Sequence, residues 1–296
     1  MLNKEGSFLL MVLILVAVFF FTSLPNGSGN TTLPPVDKKI NRIVSLSPSN
    51  TEVLFALGAD EQIVGVTTYC DYPKEALQKE KIGNFYNSDV EKIISLAPDL
   101  VVADYSLQQE TIAHLQRAGL NVIAVKNETL AELLANIQLL AKVIDREQQG
   151  ESLRNKLLNY CAEAEEKISK VTKKKRVFIE VWDHPLLTVG NKSYLNDLIL
   201  QAGGINVAGD GNYDYYTNSL EDIYVKQPDV YLRLRGTDMG SKADTLPKEL
   251  RELPAVKNGH VVTVFGDWIV RAGPRSFEAL EELTNALYPE LTKGVN

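Results

Sequence analysis

The sequence predicts an α/β protein of two similar lobes, each built on a parallel sheet, joined by one long helix. Three observations carry that prediction. Short apolar, strand-like segments alternate with helical ones, the pattern of parallel β-α units. The alternation is interrupted once, by a long helical region in mid-chain, and then restarts. A short motif also recurs at fixed spacing: Glu91, Ile93, Pro98 and Asp99 return as Glu221, Ile223, Pro228 and Asp229, each 130 residues later. Several matches at one offset argue for duplicated lobes better than any single motif does.

The first half reads strand 40–46, helix 49–57 stopped by Gly58, strand 63–68, helix 90–96, strand 100–103, helix 108–118 ended by Gly119, and strand 122–125. Residues 130–171 are helical in pattern, with Leu133, Leu134, Ile137, Leu140, Ala141 and Ile144 on one face. A break is expected near Gln149–Gly150. Beyond it Leu153, Leu157, Tyr160, Ala164 and Ile168 form a narrower apolar stripe. The run Lys173 to Arg176 reads as cations opposing the dipole at that helix's C-terminus. The second half then reads strand 176–182, helix 194–201, helix 221–226, strand 230–234, helix 247–253, strand 261–265 and helix 277–287. These segments divide the chain into an N-terminal extension (1–39), a first lobe (40–146), an interlobe helix (147–174) and a second lobe (175–296). Two lobes on one connecting helix leave a cleft, and a cleft between domains is the default ligand site.

The extension opens with Phe8 to Phe21, unbroken apolar sequence preceded by Lys4. It is shorter than the ~20 residues of a comfortable membrane span. It fits the apolar core of an export signal, either removed or kept as a membrane anchor. Residues 22–39, rich in Ser, Thr, Asn, Gly and Pro, read as a flexible tether. The protein is therefore expected outside the cytoplasm.

The chain has 296 residues, 45% hydrophobic and 23% charged, as in an ordinary globular protein. Its formal charge of −7 argues against nucleic acid as a partner. Phosphate-binding loops, a nucleophile elbow and a zinc-protease helix are all missing from the sequence. Cys70 and Cys161 form no metal-binding cluster, and leave open a bridge or two separate thiols. His114 and His260 read as surface residues; His184, in the loop after a strand, is the one placed to reach a cleft. No residue stands out as catalytic, so an enzyme is the least favoured class.

Four segments carry a family likeness: residues 43–52 (IVSLSPSNTE), 65–73 (GVTTYCDYP), the Glu91 to Asp99 motif, and 266–275 (GDWIVRAGPR). Together they resemble the periplasmic-binding family that serves ATP-driven importers of cobalamin, haem and ferric siderophores, and most of all its cobalamin-binding members. The likeness runs in unbroken order over roughly residues 40 to 290. It implies two Rossmann-like lobes on a single rigid helix, limited opening of the cleft, a transporter permease as partner, no cofactor, and a monomer.

The resemblance also implies site residues. Tyr69 matches a cleft tyrosine of the family. Phe85 and Tyr215 stand where cobalamin binders carry cleft tryptophans. Asp267 and Arg271 match polar contacts to the corrin side groups, with Trp268 between them. Two aromatic positions depart from the pattern: Asp104 replaces a tryptophan, with Tyr105 adjacent, and Val181 replaces an aromatic, with Trp182 adjacent. The expected ligand site is thus Tyr69, Phe85, Trp182, Tyr215, Asp267, Trp268 and Arg271. The chemistry is coherent, because aromatic rings accept the flat face of a tetrapyrrole and a few charged groups fix its polar rim. The likeness further implies that Glu91 and Glu221 dock on arginines of the transporter. Each also fits a capping box, Ser88 with Glu91 and Asn218 with Glu221. Haem, a ferric siderophore, or a sensing role without a transporter stay open beside a corrinoid.

Overall fold

A computed structural model describes residues 39–236 and 246–291. The apolar Phe8 to Phe21 segment and nearly all of the tether lie outside them. Among the described residues no helix is long and apolar enough to cross a membrane.

The first lobe is a five-stranded sheet of β1 (Ile43–Ser45), β2 (Ile63–Val66), β3 (Glu80–Lys81), β4 (Leu100–Asp104) and β5 (Val122–Val125). All pairs are parallel and the order is β3-β2-β1-β4-β5. β1 and most of β4 are buried, which is why both read as continuous apolar runs. Helix α1 (Pro48–Ala56) starts where Ser47 accepts a hydrogen bond from the Asn50 amide and Pro48 supplies a preset φ. Helices α2 (Val90–Ser95) and α3 (Gln109–Arg117) complete this lobe.

Helix α4 (Leu130–Val143) leads into the 22-residue helix α5 (Glu147–Ile168). The break falls at Ile144 to Arg146, with Asp145 left-handed at φ 57°, and not at Gln149–Gly150. Gly150 instead lies inside α5, where an added Cβ would come within 2.4 Å of Ala141 Cβ. A glycine that would serve as a helix stop elsewhere is here the point where the Ala141 side chain of the neighbouring helix comes against the helix backbone.

The second lobe holds β6 (Arg176–Glu180), β9 (Ile205–Asn206), β11 (Val230–Arg235) and β12 (Val261–Phe265) in a parallel sheet of order β12-β11-β6-β9. Its helices are α6 (Tyr194–Gln201), α7 (Leu220–Lys226), α8 (Pro254–Lys257), α9 (Gly266–Val270) and α10 (Arg275–Leu287). The predicted strand 176–182 is interrupted at Val181. Beyond it β7 (Trp182–Asp183), β8 (Leu186–Val189) and β10 (Tyr215–Thr217) form a small antiparallel ribbon, order β10-β8-β7. The predicted helix 247–253 is a 3-10 turn, Lys248–Glu252, running into the short α8.

The repeated motif has a shared structure. Ala97 and Gln227, 130 residues apart, both sit left-handed at φ 45° without being glycine, a rare conformation that ends α2 and α7 sharply. The following Pro98 and Pro228 are buried. Asp99 accepts from the Asn41 and Arg42 amides at 3.0 Å each. Asp229 accepts from the Arg176 amide at 2.9 Å. Arg42 and Arg176 in turn donate to the helix-end carbonyls of Leu96 and Lys226. Each lobe thus ties the start of its central strand to the end of a flanking helix with the same parts.

One apolar core runs through both lobes. It joins Ile43, Val53 and Leu100 of the first to Leu157 and Ala164 of α5 and to Ile179, Leu198 and Phe277 of the second. Opening the cleft widely would break this shared packing, so large excursions are disfavoured.

Candidate functional site

In parallel α/β lobes, ligands bind outside the carboxyl ends of the strands. Tyr69 follows β2, and Phe85 lies in the turn after β3. Trp182 follows β6, and Asp267, Trp268 and Arg271 follow β12. Tyr215 comes from the ribbon. The seven expected ligand residues therefore come from strand ends of both lobes or from the adjoining ribbon.

The ribbon's register places two of them together. Tyr215 pairs with Val189, and Trp182 with Leu187. Directly paired residues share a face and alternate residues share it too, so Tyr215, Leu187 and Trp182 lie on one side. Asp183, Leu186 and Tyr216 lie on the other. The Trp182 indole N–H donates to the His184 carbonyl at 3.0 Å, which fixes its ring. Tyr215 is 41% exposed, yet burial raises the pKa of its hydroxyl, with a hydrogen bond to Ser193 opposing and the charges of Asp214 and Tyr86 adding to the rise.

Tyr86 was not expected. It is 74% exposed, stacks edge-on against Phe85 at 5.1 Å between centroids, and lies close enough to Tyr215 to perturb it from the opposite lobe. The adjacent aromatic pair in an otherwise polar turn was the available signal. Tyr69 is 40% exposed. Phe85 is positioned from behind by Gln108, whose amide donates at 2.8 Å to both the Leu46 and Phe85 carbonyls. The Gln108 carbonyl oxygen accepts from the Asp104 amide. Asp104, at the tryptophan position, accepts from the Ser106 and Leu107 amides and shapes the turn. Trp268 is half-buried and packs on the shared core.

The polar end of the site is an interlobe cluster. Arg271 donates through both terminal nitrogens to Asp71, the longer contact being 3.3 Å, and comes within 3.9 Å of Glu52. Arg275 holds Glu52 bidentately, with Nε to Oε2 at 2.9 Å. Its guanidinium also lies 3.9 Å from the centre of the Tyr72 ring, a cation–π geometry. Burial raises the Glu52 pKa, opposed by the two arginines. For Asp71 burial also pushes upward, but the hydrogen bond and charge of Arg271 outweigh it and the pKa is lowered. Arg275, the last residue of the fourth family segment, is the partner of Glu52 at the end of the first; no local pattern joins residues so far apart in sequence.

His184 is exposed and lies 3.8 Å from Asp183. It lines a cavity of about 570 Å³ with Glu180, Asp183, Leu186 and Tyr231, on the ribbon face opposite Trp182 and Tyr215. His114 and His260 are exposed. Cys70 and Cys161 are separate free thiols. Among the described residues no cluster of metal-ligating side chains occurs.

Glu91 and Glu221 are exposed near the starts of α2 and α7. The capping residues are Asp89 and Ser219, which accept from the Lys92 and Asp222 amides. The expected capping boxes on Ser88 and Asn218 do not form, because each helix begins one residue later. Each glutamate is therefore at the second helical position, and no hydrogen bond or ion pair within the described residues accounts for it.

Comparison with known proteins gives a consistent result. The sequence profile of the periplasmic binding protein family matches residues 43–265. The chain is 34% identical over 267 residues to an uncharacterized ABC transporter substrate-binding lipoprotein, YvrC, of Bacillus subtilis, covering 87% of this chain and 83% of that one. Its structure is similar to the periplasmic vitamin B12 binding protein BtuF of Vibrio cholerae, with TM-score 0.76, 26% identity, and coverage of 86% of this chain and 98% of that one. It is also similar to the periplasmic heme-binding protein RhuT of Roseiflexus sp. RS-1, with TM-score 0.72, 28% identity, and coverage of 85% and 99%.

Proposed function

The chain belongs to the periplasmic binding protein family, and we propose that it captures cobalamin or a related corrinoid in its interlobe cleft and delivers it to an ATP-driven importer. As a member of that family it is an extracytoplasmic substrate-binding protein of an ABC transporter and not an enzyme. The observation that carries the ligand reading is the set of half-open aromatic residues contributed by both lobes. Tyr69 and Tyr86 come from one lobe, Tyr215 and Trp182 from the other, at the strand ends where such folds bind ligands. Exposed rings drawn from both lobes suit a large flat ligand.

Haem is the second reading, favoured by the likeness to RhuT. It would call for a tyrosine or histidine on the iron. Burial raises the pKa of the Tyr215 hydroxyl, and His184 borders a different cavity. Both weigh toward a corrinoid, which needs neither group as a ligand. In this reading Phe8 to Phe21 directs export and is either removed or kept as an anchor. Glu91 and Glu221 engage basic residues of the permease.

The test is titration of the full chain with cobalamin, cobinamide, haem and a ferric siderophore, followed by absorbance and calorimetry. Binding of a corrinoid at micromolar or lower concentration, with the others weaker, is expected. Tighter binding of haem or a siderophore would replace the corrinoid reading.

A further inference from the structure

Arginines near a ligand cleft ordinarily recruit anionic ligands, because guanidinium and carboxylate match in charge and geometry. Here both arginines at the polar end of the cleft are already engaged. Arg271 is bound through both terminal nitrogens by Asp71, and Arg275 is held bidentately by Glu52. Arg271 also lies within 3.9 Å of Glu52, and the Asp267 carboxylate adds further negative charge close to it. Within the quartet two positive charges meet two negative ones. The two pairs differ in accessibility: Glu52 is almost fully buried, whereas the Asp71 side chain is 41% exposed.

We propose that Asp71, backed by Glu52, is a specificity-determining residue that neutralises the cleft arginines and so selects a tetrapyrrole with a neutral amide rim over one bearing carboxylates. This rests on the reading of the cleft as a tetrapyrrole site. An amide can accept from Arg271 and donate to Asp71 at once, leaving the ion pair in place. A carboxylate rim must either displace Asp71 from Arg271 or lie beside carboxylates that repel it. Rejection through an unfavourable charge is a recognised route to specificity, separate from better contacts to the favoured ligand.

The experiment compares cyanocobalamin, whose rim is amide, with haemin, which carries two carboxylates, by calorimetry on the full chain. In Asp71→Asn the ratio of haemin to cyanocobalamin affinity should rise by about tenfold or more, as one close charge is removed. In Asp71→Glu, which keeps the charge, the ratio should stay near that of the unaltered protein. A ratio unmoved by Asp71→Asn, or moved as much by Asp71→Glu, overturns the proposal. A second measurement needs no ligand: the rate at which phenylglyoxal modifies Arg271, read by peptide mass mapping. It should rise several-fold in Asp71→Asn, and an unchanged rate overturns the proposal on its own. If the unaltered protein binds neither tetrapyrrole, the ligand reading fails separately, and the labelling rate decides whether Asp71 occupies Arg271.

Discussion

Glu52 on α1 and Arg275 at the start of α10, 223 residues apart in sequence, form a bidentate ion pair across the two lobes. Glu52 is 3% exposed, so its carboxylate has little access to water if Arg275 is lost and keeps only the more distant Arg271, at 3.9 Å. Removing one side of a buried pair strands the other, at a typical cost of about 3–5 kcal/mol. Glu52→Ala and Arg275→Ala should each lower the thermal midpoint clearly, while the double variant should cost less than the sum. Additive losses in that double-mutant cycle would show that the pair does not hold the lobes together.

Asp71 gives the same seam a pH dependence of definite sign. Its pKa is lowered in the folded protein, because the hydrogen bond and charge of Arg271 outweigh the opposing effect of burial. Its stabilising contribution is therefore present above its unfolded pKa of about 3.9 and lost as pH falls through the lowered folded value. Glu52, raised chiefly by burial, acts in the opposite direction. Partial exposure and solvent screening limit the Asp71 contribution to at most about 1 kcal/mol. Asp71→Asn should lower the melting temperature slightly at pH 7 and by less at pH 3, where part of the contribution has been lost. An equal effect at both would exclude the ion pair as its cause.

Tyr215 is a partly exposed aromatic residue of the ribbon. If the ring stacks on the ligand, Tyr215→Ala should weaken corrinoid binding by about 1–3 kcal/mol. Tyr215→Phe, which keeps the ring, should weaken it less. Calorimetry on both variants separates stacking from the hydroxyl's role.

Glu91 and Glu221 stand at equivalent exposed positions in the two lobes. Reversing both, Glu91→Lys with Glu221→Lys, should abolish transporter-dependent uptake while ligand affinity stays as it was. Uptake at the normal rate would remove the docking role from both.

The periodic part of this architecture was legible in the sequence. Strands buried on both faces announce themselves as apolar runs, as at Leu100–Asp104 and Val122–Val125. The shared helix-to-strand joint at Pro98-Asp99 and Pro228-Asp229 was visible as a repeat before its hydrogen bonds were known. The Trp182–Asp183, Leu186–Val189 and Tyr215–Thr217 ribbon was not legible, because strands of two to four residues carry too little alternation to register. Gly150 misled for a physical reason. The lack of a side chain that lets glycine end a helix also lets two helices touch, and only the position of Ala141 tells which applies. In the site, single residues could be named by resemblance. The pairing of Arg271 with Asp71 and the closeness of Tyr86 to Tyr215 join distant parts of the chain, and became apparent only in the folded lobes.

The central claim is that one ligand is held between the two lobes by residues from both. Hydrogen exchange of the full chain with and without saturating cyanocobalamin tests it directly. The claim predicts added protection in three places at once: residues 67–72 and 84–87 of the first lobe, 213–217 on the ribbon, and 266–271 of the second lobe. Protection confined to one lobe, or centred on the cavity beside His184, would contradict it.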